Sequence, residues 1–141
     1  MRLESGEARN RLVRARVARL ATASPDGVPH LVPVTFALLG DDVLTFAVDH
    51  KPKRGHDLRR LRNIAANPAV TVLADAYAED WSTLWWTRAD GTATQCAPGE
   101  AGHREAVDAL TAKYPQYARR PPSATIVLIR VQAWSGWAGS G

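Results

Sequence analysis

The chain has 141 residues, 45% hydrophobic and 23% charged, the composition of one ordinary globular domain, which excludes a disordered or fibrous chain. A single cysteine, Cys96, excludes an internal disulfide and any multi-cysteine metal site. The 18 Lys and Arg against 14 Asp and Glu leave a net charge of +4, gathered mainly in residues 1–19 and 51–62, a local pattern that suits one polyanionic ligand as well as nucleic acid.

No apolar run reaches the roughly 18 residues that crossing a bilayer requires, and the Arg- and Glu-rich start holds no apolar signal core, so a cytoplasmic location is expected. Residues 3–14 set Leu3, Ala8 and Leu12 among charges, with Ser5 ahead of Glu7, which predicts a short N-terminal helix. From Arg16 to Ser24 the pattern alternates as a strand. Pro25-Asp26-Gly27 then predicts a tight reversal, because Pro presets φ and Gly accepts positive φ. Residues 28–39 read as one extended strand carrying Pro29 and Pro33. A proline removes a ladder donor, so this strand is expected at an edge, at a bulge, or with its backbone turned toward a ligand. Gly40-Asp41-Asp42 leads into a strand over 43–48.

Residues 56–66 place Leu58, Leu61, Ile64 and Ala65 on one stripe and Arg59, Arg60 and Arg62 opposite, a helix ended by Asn67-Pro68. Strands follow over 69–74 and 82–88, the latter with Leu84 and Trp86 on one side and Trp85 on the other. Ala89-Asp90-Gly91 is expected to turn the chain into a strand over 92–97. Residues 100–114 form a second amphipathic helix, stopped by Pro115, and a long strand runs over 124–137 after Pro121-Pro122. Hairpins plus a long returning strand, without βαβ alternation, disfavour a Rossmann fold. They suggest one mainly β domain over 1–141, an antiparallel barrel with flanking helices.

The segment Asp49-His50-Lys51-Pro52-Lys53-Arg54-Gly55-His56-Asp57 lies between a strand and a helix. A helix start offers unpaired N–H groups, Gly55 permits close backbone approach, and Lys51, Lys53 and Arg54 add charge, the ingredients of a phosphate socket. A solvated basic loop is the alternative. Nucleic acid is disfavoured, since no stacking aromatics or helix-turn-helix pattern accompany the charge, and no Walker ending follows Gly40 or Gly55. The four histidines lack metal-ligand spacing, so no metal is expected; His103 is assigned to the surface of the second helix. Trp81, Trp134 and Trp137 are assigned to packing, as Cys96 is.

The order Leu20-Ala21-Thr22, Asp26-Gly27-Val28-Pro29-His30, Pro33-Val34-Thr35-Phe36, Ala47-Val48-Asp49-His50-Lys51-Pro52-Lys53, Leu58-Arg59-Arg60-Leu61-Arg62-Asn63-Ile64 and Asn67-Pro68 resembles the pyridoxamine 5'-phosphate oxidase-like (PPOX class) superfamily of FMN-binding split barrels. It is most similar to the superfamily's F420-dependent oxidoreductase branch. The resemblance implies a six-stranded antiparallel split β-barrel, homodimeric, with two cofactor sites shared between subunits. It implies that the strand from His30 through Pro33, Val34 and Thr35 lies along a flavin-like ring, that Ala47 and Val48 flank the ribityl chain, and that Lys51 and Lys53, with Arg54 as a weaker third, hold the phosphate. Trp85 and Trp86 fall on the strand that approaches the partner's site, where an indole could cover a ring face, against a role in core or interface.

Hydride transfer between coenzyme F420 and a small conjugated or quinone-like acceptor is the expected reaction. FMN is the alternative cofactor, and a carrier or sensor without turnover the alternative role. No acid–base pair stands out, as expected where the cofactor carries the chemistry. F420 is preferred because its anionic oligoglutamate tail suits the cations of Arg59, Arg60, Arg62 and the N-terminal cluster. The chain's end lacks the Arg-rich substrate-binding ending of true pyridoxamine phosphate oxidases. Residues 75–80 and 116–122 are the expected rims of the acceptor pocket.

Overall fold

The computed structural model describes residues 1–48 and 58–140. Helix α1, Ser5–Arg14, buries Ala8 and Leu12, one turn apart on the same face, while Glu7 and Arg11 pair at 2.8 Å on the outside. The strands are β1 (Ala18–Ala23), β2 (Pro29–Val34), β3 (Ala37–Leu39), β4 (Val43–Ala47), β5 (Ala69–Ala76), β6 (Trp85–Cys96) and β7 (Ile126–Ala138). Helix α2, Arg59–Ala66, precedes β5; α3 (His103–Lys113) and α4 (Pro115–Arg119) lie between β6 and β7.

All the strand pairings are antiparallel, in the order β2-β1-β5-β6-β7-β4-β3. The two edges of this sheet, β2 and β3, are consecutive in the chain, separated by Thr35 and Phe36 alone. The sheet therefore curls until its edges meet without pairing, which is the open seam of a split barrel. Its interior is filled by inward residues of the strands, among them Leu20, Leu44, Phe46, Val72 and Ile129, with Phe36 from the crossover, Leu12 from α1 and Ile64 from α2 joining the same cluster.

The mainly β split barrel with flanking helices is the architecture expected, with differences of detail. The strand expected over 28–39 is two strands, because the chain leaves one sheet edge at Val34 and joins the other at Ala37, so the sheet has seven strands among the described residues, against the six expected. The reversal at Pro25-Asp26-Gly27 is present, closed by Gly27 N–H to Ser24 O at 2.9 Å with Gly27 at φ +89°. The turn expected at Ala89-Asp90-Gly91 is not: β6 runs straight through. Asp90 pairs with Ala133 and Gly91 with Val131, leaving Gln132 as the extra residue of a bulge in β7. Gly91 serves close approach, since a Cβ there would strike the Arg130 carbonyl. Pro115 ends α3 and also opens α4, at a position where its missing N–H costs nothing.

Three side-chain assignments change. His103, expected at the surface, is buried and its Nε2 lies 2.8 Å from the Ala124 carbonyl, tying α3 to the approach of β7. Trp81 and Trp137, both expected in packing, are 77% and 36% exposed. Trp134 packs against the core, with its indole N–H donating to Asp42 at 3.1 Å. No described helix is long and apolar enough to cross a membrane.

Candidate active site at the barrel seam

Thr35 and Phe36 cross between sheet edges with no strand beside them, so the buried N–H and C=O of Phe36 need partners from elsewhere. Tyr114, at the C-terminal end of α3, supplies both. Its hydroxyl accepts from Phe36 N–H at 3.0 Å and lies 2.9 Å from Phe36 O and 3.0 Å from Arg16 O. One phenol thus stands in for a missing strand, and burial raises its pKa. Lys113 and Arg16 complete the brace. The ammonium of Lys113 sits 3.9 Å from the centroid of the Phe36 ring and donates to Val13 O and Ala15 O at the end of α1. Arg16 donates to Lys113 O at 2.7 Å and lies over the Tyr114 ring. Burial, with repulsion from Arg16 second, pushes the Lys113 ammonium down to about 8.

Beside this brace the seam opens into a cavity of about 510 Å³. Apolar lining comes from Val17 ahead of β1, Pro33 and Val34 at the end of β2, and Ala47 and Val48 at the end of β4. Polar lining comes from the α3–α4 corner, with Tyr114, Gln116, Tyr117 and Arg120, and from Thr35 of the crossover and Arg60 of α2. Tyr117 stands edge-on to Tyr114, centroids 5.8 Å apart, and its hydroxyl is 3.2 Å from Thr35 Oγ1.

The sequence-derived site residues divide by location. Pro33, Val34, Thr35, Ala47 and Val48 are brought together in this one cavity, although β2 and β4 lie on opposite halves of the sheet order. Lys51, Lys53 and Arg54 lie outside the described residues; the described chain on either side, at Val48 and Arg60, lines the cavity. His30 pairs with Thr22 farther up β2 and does not line it; its Nδ1 is buried without a hydrogen-bond partner.

Trp85 and Trp86 face opposite sides of β6, as the alternation requires, and neither lines the seam cavity of its own chain. Trp85 lies under α1, where the Arg11 guanidinium is 5.7 Å from the ring centroid, and floors a hollow of about 230 Å³ with Glu7 and Arg14. Trp86 lies on the outer face with Arg88 over its ring at 5.6 Å, beside a hollow of about 310 Å³ edged by Leu73, Asp75 and Tyr77.

Gln116, Tyr117 and Arg120 fall in the segment expected to rim the acceptor pocket. Tyr114 and Val17 were not legible as lining residues. A Tyr before a Pro at a helix end carries no mark of the long-range bonds it makes, although two tyrosines flanking Pro115 in an otherwise Tyr-poor chain were the available signal.

Comparison with known proteins agrees with this architecture. Among solved structures, an FAD-binding protein from Mesorhizobium loti superposes with a TM-score of 0.73 at 24% identity, over 96% of this chain and 93% of that one. The FAD-binding protein from Mycobacterium smegmatis gives 0.65 at 19%, over 97% and 98%. HutZ, the heme storage protein from Vibrio cholerae, gives 0.70 at 15%, over 98% and 95%. These likenesses, all below 25% identity, are of fold. No curated protein matches the sequence. The family model described as pyridoxamine 5'-phosphate oxidase matches residues 5–138, from α1 to the last residue of β7. With its barrel and its seam inside that match, the chain belongs to the pyridoxamine 5'-phosphate oxidase family.

Proposed function

We propose that this chain binds a flavin-like redox cofactor in the seam cavity, coenzyme F420 in the first instance, and transfers hydride between it and a small conjugated or quinone-like acceptor. The observation that carries the reading is the seam cavity itself. Its roughly 510 Å³ is within the 300–1,000 Å³ usual for small-molecule sites. Apolar lining suited to a ring face is combined with hydroxyl, amide and guanidinium groups. These features fit a planar conjugated ring with polar edges. Such a cofactor, when bound, supplies the hydride chemistry. The protein's own part is to bind, orient and exclude water.

In this reading Pro33 and Val34 press on the ring face. Pro33 has no N–H to leave unpaired on this edge strand. Ala47 and Val48, small residues at the end of β4, leave room for the chain that links ring to phosphate. The segment joining Val48 to α2 carries Lys51, Lys53 and Arg54, which we assign to the phosphate, with Arg59, Arg60 and Arg62 toward an anionic tail. His30, Trp85 and Trp86 act on the ring or acceptor only through a second subunit. Leu31 supports such a subunit: it is 67% exposed on the outer face of β2, on the same side of the sheet as Leu73 and Trp86.

FMN or FAD is the second reading, favoured by the M. loti and M. smegmatis proteins that share the fold. Storage or transport without turnover is the third, favoured by the V. cholerae heme storage protein; among the described lining residues the groups able to ligate a heme iron are the phenols of Tyr114 and Tyr117, with no His, Met or Cys. Titration of the purified protein with F420, FMN and heme, followed by fluorescence and absorbance, tests all three. Micromolar binding of F420 and reduction of a quinone acceptor are expected. Binding of FMN alone overturns the choice of F420, and binding of neither flavin-like molecule overturns the reading. Lys51→Ala and Lys53→Ala are each expected to cost about 1.5–3 kcal/mol of binding, as lost hydrogen bonds to a charged group.

A further inference from the structure

We propose that the Thr35–Tyr117 hydroxyl pair is the specificity determinant of the seam cavity, presenting one O–H to a carbonyl oxygen on the edge of the bound ring. The inference rests on the flavin-like reading above and names the ligand atom that the polar lining reads. The two hydroxyls lie 3.2 Å apart, half-buried, and both residues line the cavity. Neither makes another side-chain hydrogen bond among the described residues. Each hydroxyl carries one hydrogen and two lone pairs. One hydrogen is spent within the pair, so one O–H is left over in a half-buried position, available to a ligand acceptor that displaces water from it.

The pair is also firmly mounted. Thr35 is held by the crossover, whose next residue is bonded through both backbone groups to Tyr114. Tyr117 is set edge-on against that same Tyr114 ring at 84°. A donor fixed from two sides reads position as well as polarity, which a surface side chain does not. The same cavity is lined by the apolar Pro33, Val34, Ala47 and Val48. The matching ligand is thus a flat conjugated ring that offers its face to the apolar lining and an edge carbonyl to the hydroxyl pair.

The test is the affinity of the full chain for FMN and for FMN analogues in which sulfur replaces one ring carbonyl oxygen, a much poorer acceptor. The double variant Thr35→Val with Tyr117→Phe removes both hydroxyls and keeps both shapes, a change that is nearly neutral for folding because neither partner is left unmatched. The parent is expected to bind FMN more tightly than at least one thio analogue. The double variant is expected to lose about three- to ten-fold in FMN affinity, as for one net hydrogen bond, together with that preference. Returning one hydroxyl, as Thr35→Ser with Tyr117→Phe, is expected to recover part of both. A parent that binds F420 or FMN, beside a double variant with unchanged affinity for that cofactor and, with FMN, unchanged oxygen-over-sulfur preference, overturns this inference alone. A parent that binds neither FMN nor F420 overturns the flavin reading and this inference with it.

Discussion

Replacing Tyr114 by Phe removes one oxygen atom and tests the seam directly. The hydroxyl has a single hydrogen, so of Phe36 O and Arg16 O it serves one at a time, and each carbonyl retains a second lone pair for other donors. Phe36 N–H has no such freedom: its partner is the phenol oxygen, at 3.0 Å in a buried setting. Tyr114→Phe therefore strands one buried donor outright and weakens one acceptor, a loss of about 1–3 kcal/mol. The aromatic contacts with Tyr117, Arg16 and Lys113 remain. For a chain of this size that loss lowers the melting temperature by roughly 3–10 °C. Thermal unfolding followed by far-UV circular dichroism measures it, and urea unfolding at unchanged m-value confirms that the native state, not the denatured one, has changed. A melting temperature within about 1 °C of the parent would refute the idea that this phenol replaces a strand at the seam.

Three other outcomes follow from the same geometry. Lys113 is held near 8 in the folded chain by burial and by Arg16, whereas an unfolded lysine titrates near ~10.4. Between those values the unfolded chain binds more protons, so this group makes stability rise with pH from about 8 to about 10.4; below that window its penalty is fully present. Lys113→Met is expected to flatten that rise, read as the difference in urea midpoint between pH 7.5 and 9.5, roughly the two sides of the lower value, and an identical difference in parent and variant counts against it. Gly91→Ala drives a methyl into the Arg130 carbonyl at the β6–β7 bulge and is expected to cost about 1–3 kcal/mol by overpacking; equal urea midpoints would show that the bulge yields without strain. Leu31→Glu places a charge on the exposed face of β2; if two copies pair there as proposed, light scattering is expected to give a dimer for the parent and a monomer for the variant, with unchanged circular dichroism, and a monomeric parent or a variant that stays dimeric counts against that pairing.

Periodicity along the sequence was enough for most local structure. The stripe of Leu61 and Ile64, the alternation through Leu20 and Val72, and Gly27 in its turn are each decided by neighbours a few residues away. The side of the strand that Trp85 and Trp86 occupy is fixed by the period of two. The break between Val34 and Ala37 was foreshadowed by the prolines but not located by them, because what ends β2 and begins β3 is the curl of a sheet whose edges meet there. The same limit explains Ala89-Asp90-Gly91. A glycine next to an aspartate is the signature of a turn, yet here the glycine is demanded by a backbone carbonyl 39 positions away in the chain, from a strand whose register no local pattern encodes.

The candidate site shows the same division. Sequence order by itself put Pro33, Val34 and Thr35 within one extended strand and Ala47 and Val48 at the end of another, with a basic segment after it. Only the tertiary structure decided that these residues converge on one cavity and that a tyrosine pair from the far side of the chain completes it. The physical reason is that strand identity is a local property of side-chain alternation and backbone preference. Convergence is a property of sheet closure, fixed by which edges remain unpaired and by which distant hydroxyl satisfies the backbone groups left exposed between them.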